Sequence, residues 1–298
     1  MKVAFLYNPK AGGYREDAVD ITRRYLERHG FTVNPCRCQD PGDGTRRAAE
    51  AVEAGADMIL VGGGDGTINE AVTGMLGSNV RLGILPLGSV NVLAREVGLP
   101  RDLEGALEVA VSGRPRKIHV AQVRQRCFLL MASVGLDAEI VYSVNTALKA
   151  CLGVGAYILA GMARLRAPDL PELLIETDTG QLRGRGLIIS NARLYAGSFV
   201  ANPAADIEAP RLDLCVFTKG SRFALLRYAL GISRGMHVGF RDVITCSARR
   251  VTVSCAERNA PAAHVQADGD SVGRIPVTVA ASQQTVMLIT PSGDARCA

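Results

Sequence analysis

Up to Pro115 the chain alternates short apolar runs with longer segments whose apolar residues recur every three or four positions. The runs Lys2–Tyr7, Phe31–Cys36, Met58–Val61 and Leu82–Leu85 predict strands. The segments Ala18–His29, Arg46–Ala54, Thr67–Leu76, Val90–Glu96 and Asp102–Val111 predict helices, with Gly30, Gly55 and Gly113 closing three of them. Strands that alternate with helices imply a parallel sheet covered on both faces, a three-layer α/β arrangement.

Past Arg114-Pro115-Arg116 the pattern changes. Ile118–Val123, Cys127–Ala132, Leu173–Thr177, Leu182–Ser190, Leu212–Phe217, Asp242–Cys246, Arg250–Cys255, Ala263–Ala267, Pro276–Ala280 and Thr285–Ile289 read as strands. Many short strands separated by Gly or Asp turns indicate an antiparallel sandwich or barrel. Helical insertions are expected at about Val144–Arg166 and Arg222–Gly235. The expected domains are therefore 1–115, α/β, and 116–298, all-β with helical insertions.

Composition narrows the function classes. The 298 residues fit two domains at about 100–200 residues each. Hydrophobic residues at 48% and charged residues at 21% exclude a disordered chain. The net charge of +5 is spread along the sequence, so no basic cluster marks a nucleic-acid partner. None of the eight cysteines forms a C-x-x-C pair, which argues against zinc and for small buried hydrophobes in a reducing compartment. Met1-Lys2 runs straight into the first strand without a signal peptide, so a cytoplasmic location is expected. The apolar stretch Leu152–Ala163 is too short for a bilayer, which needs about 20 residues.

The segment Met58-Ile-Leu-Val-Gly-Gly-Gly-Asp-Gly-Thr-Ile-Asn-Glu70 carries the strongest chemical signal. An apolar strand runs into glycines and then into a helix. Glycines let the backbone approach a phosphate, and a helix amino end offers free N–H groups and a positive dipole. Asp65 would repel a phosphate unless magnesium lies between them, since hard cations take oxygen ligands. The competing reading is a Gly-rich turn in which Asp65 caps locally. The chain has no Gly-Lys dipeptide, which excludes a Walker A loop.

Asn8-Pro-Lys-Ala-Gly-Gly13 follows the first strand and Leu85-Pro-Leu-Gly-Ser-Val-Asn91 follows the fourth. Either alone is an ordinary connection; three such loops at one sheet edge form a nucleotide cleft. Asp268-Gly269-Asp270 is a hairpin turn signal that could also supply a general base. Asp213 lies within an apolar strand. No G-x-S-x-G elbow supports serine hydrolase chemistry.

Asn8-Pro-Lys-Ala-Gly-Gly, Gly63-Gly-Asp-Gly-Thr-Ile-Asn-Glu, Leu85-Pro-Leu-Gly-Ser-Val-Asn-Val-Leu-Ala-Arg95 and Asp268-Gly-Asp270 occur in that order. Together they resemble the diacylglycerol kinase catalytic-domain family, in its bacterial soluble lipid kinase branch, with sphingosine kinases as relatives. The resemblance spans the chain and includes Leu148-Lys-Ala-Cys-Leu-Gly-Val-Gly-Ala-Tyr157 and Ala209-Pro-Arg-Leu-Asp213. It implies a nucleotide-binding α/β domain, a C-terminal antiparallel β-sandwich that takes the lipid, and ATP and magnesium as cofactors. Asn8, Gly63, Gly64, Asp65, Gly66, Thr67, Asn69, Gly88, Ser89 and Asn91 would bind the nucleotide. Asp65 and Asp213 would meet magnesium, and Asp270 would act as general base with Asp65 as the second catalytic carboxylate.

The implied activity is phosphorylation of a lipid hydroxyl, with diacylglycerol giving phosphatidic acid in phospholipid biosynthesis. The implied partner is a lipid at the membrane surface, visited transiently from the cytoplasm; a homodimer stays open. The alternatives are a sphingoid-base or other lipid kinase, and a non-catalytic lipid- or nucleotide-binding relative. The sequence departs from the family pattern in places: Asp270 stands where Glu is usual, Ser89 where Thr is usual, and Val92 where many relatives have Asp. Cys38 stands near a nucleotide-contacting Thr position, and Pro210-Arg211 replaces a common Asp-Gly.

Overall fold

The computed structural model describes residues 1–143, 170–257 and 260–293. The chain forms two compact units, Met1–Val120 with Gln283–Ala298, and Ala121–Ser282. The boundary expected near residue 115 falls inside a strand, and the chain returns to the first unit at its C-terminal end. The helix expected over Val144–Arg166 lies outside the described residues.

The first unit is built on β1 (Lys2–Tyr7), α1 (Ala18–Arg28), β2 (Thr32–Arg37), α2 (Asp43–Glu53), β3 (Met58–Gly63), α3 (Asp65–Met75), β4 (Arg81–Pro86), α4 (Val92–Glu96) and α5 (Leu103–Ser112). The strands lie in the order β2-β1-β3-β4, all parallel. Alternate residues of β1 serve opposite faces, as strand geometry requires. Val3 and Phe5 join Leu26 of α1 and Leu107 of α5 in one core cluster, while α2 and α3 pack against each other and against β1 and β3 respectively. The result is the three-layer α/β arrangement expected.

The expected elements match within a few residues, with one informative difference. The loop anticipated over Gly62–Gly66 is reduced to Gly64 alone, because β3 runs through Gly63 and α3 begins at Asp65. Asp65 and Gly66 therefore sit in the first turn of α3.

The second unit holds β5 (Arg114–Val123, entering from the first unit), β6 (Arg126–Phe128), β7 (Met131–Val134), α6 (Leu136–Ser143), β8 (Leu173–Thr177), β9 (Gly180–Gly184), β10 (Gly186–Ser190), β11 (Leu194–Tyr195) and β12 (Phe199–Val200). It continues with β13 (Leu212–Phe217), α7 (Arg222–Ser233), β14 (Val243–Ala248), β15 (Arg250–Cys255), β16 (His264–Ala267), β17 (Asp270–Arg274) and β18 (Val277–Thr290). One antiparallel sheet runs β14-β13-β10-β7-β16-β17. β15 pairs with the start of β18 and with β8, which pairs with β9. Val134, Leu187, Leu214 and Val265 of the first sheet share one buried cluster with Ile175, Val251, Val253 and Val279 of the other strands. That shared core makes a sandwich.

Three strand expectations are corrected here. Leu182–Ser190 is two strands, because the chain leaves one sheet for the other at Gly184-Arg185-Gly186; β9 pairs with β8, and β10 with β13 and β7. Cys127–Ala132 is likewise split into β6 and β7. At that break Asp268 accepts hydrogen bonds from the amides of Leu129 (2.8 Å), Leu130 (3.0 Å) and Met131 (3.0 Å), taking the place of a strand partner. Pro276–Ala280 and Thr285–Ile289 are instead one strand, β18, whose late residues Met287 and Leu288 lie parallel to β4. The polar Ser282-Gln283-Gln284 stretch between the two runs is extended.

Asp268 and Gly269 both take positive φ (47° and 83°), as a tight two-residue hairpin between β16 and β17 requires. Cys38, Cys127 and Cys215 are buried, and burial pushes the Cys215 thiol up to about 12 and that of Cys38 to about 11. Those two behave as the inert small hydrophobes expected; Cys36, Cys246 and Cys255 are only partly covered.

Asp268→Ala is expected to destabilise the protein by about 3 kcal/mol or more, since three amides lose a charged acceptor worth about 1.5–3 kcal/mol each. Chemical denaturation of wild type, Asp268→Ala and Asp268→Asn measures it. A midpoint for the alanine variant within error of wild type would remove Asp268 from the fold's supports.

Candidate active site

The strand order places a topological switch point between β1 and β3, since β2 lies on the far side of β1 and β4 on the far side of β3. Ligands of open parallel sheets bind there, beyond the carboxyl ends of the strands. The register aligns those ends: Tyr7 pairs with Gly62, and Gly63 with Pro86. The loops that follow β1, β3 and β4 therefore leave the sheet along one edge.

Backbone hydrogen bonds join the three loops. Asn8 N donates to Gly62 O at 2.9 Å, Leu87 N to Gly63 O at 3.1 Å, and Gly13 N to Leu87 O at 2.8 Å. The Asn8 amide nitrogen donates to Thr67 Oγ1 at 3.1 Å, which leaves the Thr67 hydroxyl hydrogen available. A Cβ at Gly88 would stand 2.5 Å from Gly64 Cα, so only glycine permits this approach of two backbones. Asn91 holds the turn: its Oδ1 accepts from Gly88 N (3.0 Å), and its Nδ2 donates to Pro86 O (3.0 Å) and Gly88 O (2.8 Å). Asn91 also takes a positive φ of 53°, which asparagine tolerates better than most residues. Ser89 lies exposed at the tip.

Asp65 is oriented by a neighbour. Its two carboxylate oxygens accept from Val92 N and Leu93 N, each at 3.0 Å, and so cap α4, which has no side-chain cap of its own at Asn91. A carboxylate at a helix amino end is held by charge and dipole together. Asp65 thus caps the next loop's helix rather than its own. The amino end of α3 itself carries no side-chain cap, in contrast to α5, capped by Asp102, and α7, capped by Ser221. A Cβ at Gly66 would meet nothing within 4 Å, so open space adjoins that uncapped end. Glu70, one turn on, accepts Gly42 N and Gly44 N at 3.0 and 2.9 Å and ties α2 to α3. Asn69 is buried within α3 and contributes to packing.

In the second unit the two expected carboxylates lie apart. Asp213 on β13 and Asp270 on β17 are four strands distant in one sheet, roughly 19 Å at about 4.8 Å per strand. Asp213 is buried; its Oδ1 accepts from Ser247 Oγ at 2.5 Å, and Arg211 Nε lies 3.4 Å from its Oδ2. A cation on that side would have to displace Arg211. Asp270 is half-exposed and pairs with Arg126 at 2.5 Å. Among the described residues, no group of three or more His, Cys, Asp or Glu side chains could hold a metal ion.

One arrangement escaped the sequence. A cavity of about 270 Å³ in the second unit is lined by Val134, Leu187, Phe217, Leu225, Ala229 and Ile232 among others. Asp137, at its edge, accepts from Ser133 Oγ (2.5 Å), Gln266 Nε2 (2.9 Å) and the Tyr195 hydroxyl. Nothing local marks Asp137, because its partners come from 4, 58 and 129 residues away.

Among the described residues no helix is long and apolar enough to cross a membrane. Residues 2–123 match the diacylglycerol kinase catalytic domain, and residues 131–290 match the YegS C-terminal NAD kinase beta sandwich-like domain. A diacylglycerol kinase of Bacillus subtilis (strain 168) is 29% identical over 282 residues, covering 92% of this chain and 91% of that one. One from Staphylococcus epidermidis (strain ATCC 12228) is 26% identical over 296 residues, covering 97% and 92%. The crystal structure of a diacylglycerol kinase from Bacillus anthracis str. Sterne superposes with a TM-score of 0.71 at 19% identity, covering 97% of this chain and 96% of that one, and shares its fold. The chain thus joins a diacylglycerol kinase catalytic domain, whose glycine loops gather at the switch point, to a YegS C-terminal NAD kinase beta sandwich-like domain that spans more than half of it, and it belongs to the family built in this way.

Proposed function

We propose that the protein is an ATP- and magnesium-dependent lipid kinase that transfers the γ-phosphate to the free hydroxyl of diacylglycerol, giving phosphatidic acid and ADP. The observation that carries the reading is the uncapped, glycine-lined amino end of α3 at the switch point. The amides of Asp65, Gly66 and Thr67 would meet the phosphates, with the dipole of α3 behind them. The Thr67 hydroxyl would donate one further hydrogen bond, and Asn8 holds its own loop, its Oδ1 accepting from Lys10 N at 2.8 Å. Asn91 and Gly88 hold the third loop in position through the bonds given above.

Asp65 fits a magnesium ion that is bound chiefly by nucleotide phosphates. Each of its oxygens spends one lone pair on an amide and keeps another, and such ions take one or two protein carboxylates beside phosphate and water. When bound, the ion would neutralise charge on the phosphates during transfer. Asp213, faced by Arg211, does not fit that role.

Phosphoryl transfer asks the protein for position and charge more than for covalent chemistry. The lipid oxygen forms the new bond to phosphorus as the bond to the β-phosphate oxygen breaks. Asp270 would take the hydroxyl proton, with Arg126 fixing its carboxylate. The cavity of the second unit would hold acyl chain, and Asp137 with Ser133, Gln266 and Tyr195 would form its polar end.

Purified protein incubated with magnesium, γ-labelled ATP and mixed micelles of diacylglycerol, ceramide or sphingosine should yield labelled phosphatidic acid from diacylglycerol. Asp65→Asn should lower the rate about 100-fold or more, in line with loss of transition-state charge stabilisation. Label only in sphingosine would move the reading to a sphingoid-base kinase; label in no lipid, with ATP still bound, would move it to a non-catalytic relative.

The two carboxylates of the second unit separate by kinetics. Asp270→Asn should lower kcat about 100-fold or more with KM for ATP unchanged, whereas Asp137→Asn should mainly raise KM for the lipid. The reverse pattern would transfer the base to Asp137. Ala229→Trp, which fills the cavity, should raise KM for long-chain diacylglycerol at least about tenfold while ATP affinity holds. An unchanged lipid KM would exclude the cavity from acceptor binding.

A further inference from the structure

α7 (Arg222–Ser233) carries two apolar faces. One is inward: Leu225, Tyr228 and Ile232 line the cavity of the second unit. The other is outward: Phe223 is 87% exposed, Leu226 49% and Leu230 46%, and Met236 just beyond the helix is 59% exposed. Positions 223, 226 and 230 are spaced i, i+3 and i+7, so the three outward side chains form one ridge along the helix. Scattered exposed apolar residues are ordinary on a protein surface; an aligned row of Phe and Leu on one helix is not.

Charge identifies what the ridge faces. Between Lys219 and Arg241 the sequence holds Lys219, Arg222, Arg227, Arg234 and Arg241 and no Asp or Glu. At 100° per residue, Arg222 flanks the ridge on one side and Arg227 on the other. Arg227 is bonded to Asp242, which also accepts from the Tyr228 hydroxyl at 2.8 Å. Burial and that bond push Tyr228 up to about 12, so the hydroxyl stays protonated and keeps this joint closed. Lys219, Arg222, Arg234 and Arg241 are exposed and make no ion pair among the described residues. Apolar side chains bordered by unneutralised cations match a bilayer surface, where acyl chains lie beneath anionic headgroups.

We propose that the outward face of α7, with Phe223, Leu226 and Leu230 inserted and Arg222 and Arg234 on headgroups, docks this protein on an anionic lipid bilayer. The purpose of the docking rests on the lipid-acceptor reading above; the docking itself does not. The opposite face of the same helix lines the cavity.

The test is co-flotation of the full chain with vesicles of phosphatidylcholine alone and of phosphatidylcholine with an equal part of phosphatidylglycerol. The wild type should float with the anionic vesicles and detach as salt is raised. The triple variant Phe223→Ser, Leu226→Ser, Leu230→Ser should bind them at least tenfold more weakly, and so should Arg222→Glu with Arg234→Glu. Both variants should keep wild-type turnover on a short-chain diacylglycerol dispersed without a bilayer. Wild-type flotation by either variant, or no binding by the wild type, overturns the proposal. So does a wild-type dimer in sedimentation velocity that the triple variant dissolves, which would make the ridge a contact between two copies. If vesicle binding follows the ridge but no lipid is phosphorylated, the docking stands and the kinase reading fails.

Discussion

Three places where this chain leaves regular structure are held by a carboxylate that accepts backbone amides. Buried N–H groups need acceptors, and a strand that ends or changes sheets loses those its neighbours supplied. Asp268 meets the debt of Leu129, Leu130 and Met131 where β6 gives way to β7. Asp65 meets that of Val92 and Leu93 at the start of α4, and Glu70 that of Gly42 and Gly44 before and within α2. Side chains do this far from their own position in sequence, so these three residues tie together segments that the chain order separates.

That constraint divides labour within the motifs. In Gly63-Gly-Asp-Gly-Thr the glycines make room, while Asp65 is already oriented by two amides before any ligand arrives. In the proposed lipid kinase, a carboxylate fixed in that way would need no reorganisation to meet a phosphate-bound cation, which is the condition for effective electrostatic catalysis. In Asp268-Gly-Asp270 the two acids do different things. Asp268 is a fastener for the sandwich, and Asp270, one residue past the turn, is exposed and paired with Arg126. Their equal appearance in sequence conceals opposite environments.

The α/β half was legible because its signals are local. Apolar runs, helical spacing and terminal glycines locate β1 through α5 within a few residues, and the motif order locates the loops that bind one another. The sandwich was legible as a class and not as a topology. Leu182–Ser190 reads as one strand because periodicity records which face a residue takes, not which sheet it pairs with; only Gly184 and Gly186 hint at the crossing. β18 was cut in two because Ser282-Gln283-Gln284 is polar, and a polar stretch looks alike in a turn and in an exposed strand. Asp213 suggested a metal by family pattern, but Pro210-Arg211 brings a guanidinium to the carboxylate instead.

α7 shows how one short element can serve two solvents. Its cavity-lining residues and its outward Phe and Leu occupy different arcs, so the helix has no strong single-sided polarity; the sequence marks a helix there but not which face meets solvent. The relevant contrast is between two apolar faces separated by arginines. Fully burying an exposed Phe or Leu is worth about 1.5–3 kcal/mol; Phe223, 87% exposed, forgoes most of that gain, and Leu226 and Leu230, 49% and 46% exposed, forgo part of it. A fold that leaves these side chains facing water, on a helix whose far side lines the cavity, recovers that free energy only against an apolar surface outside itself.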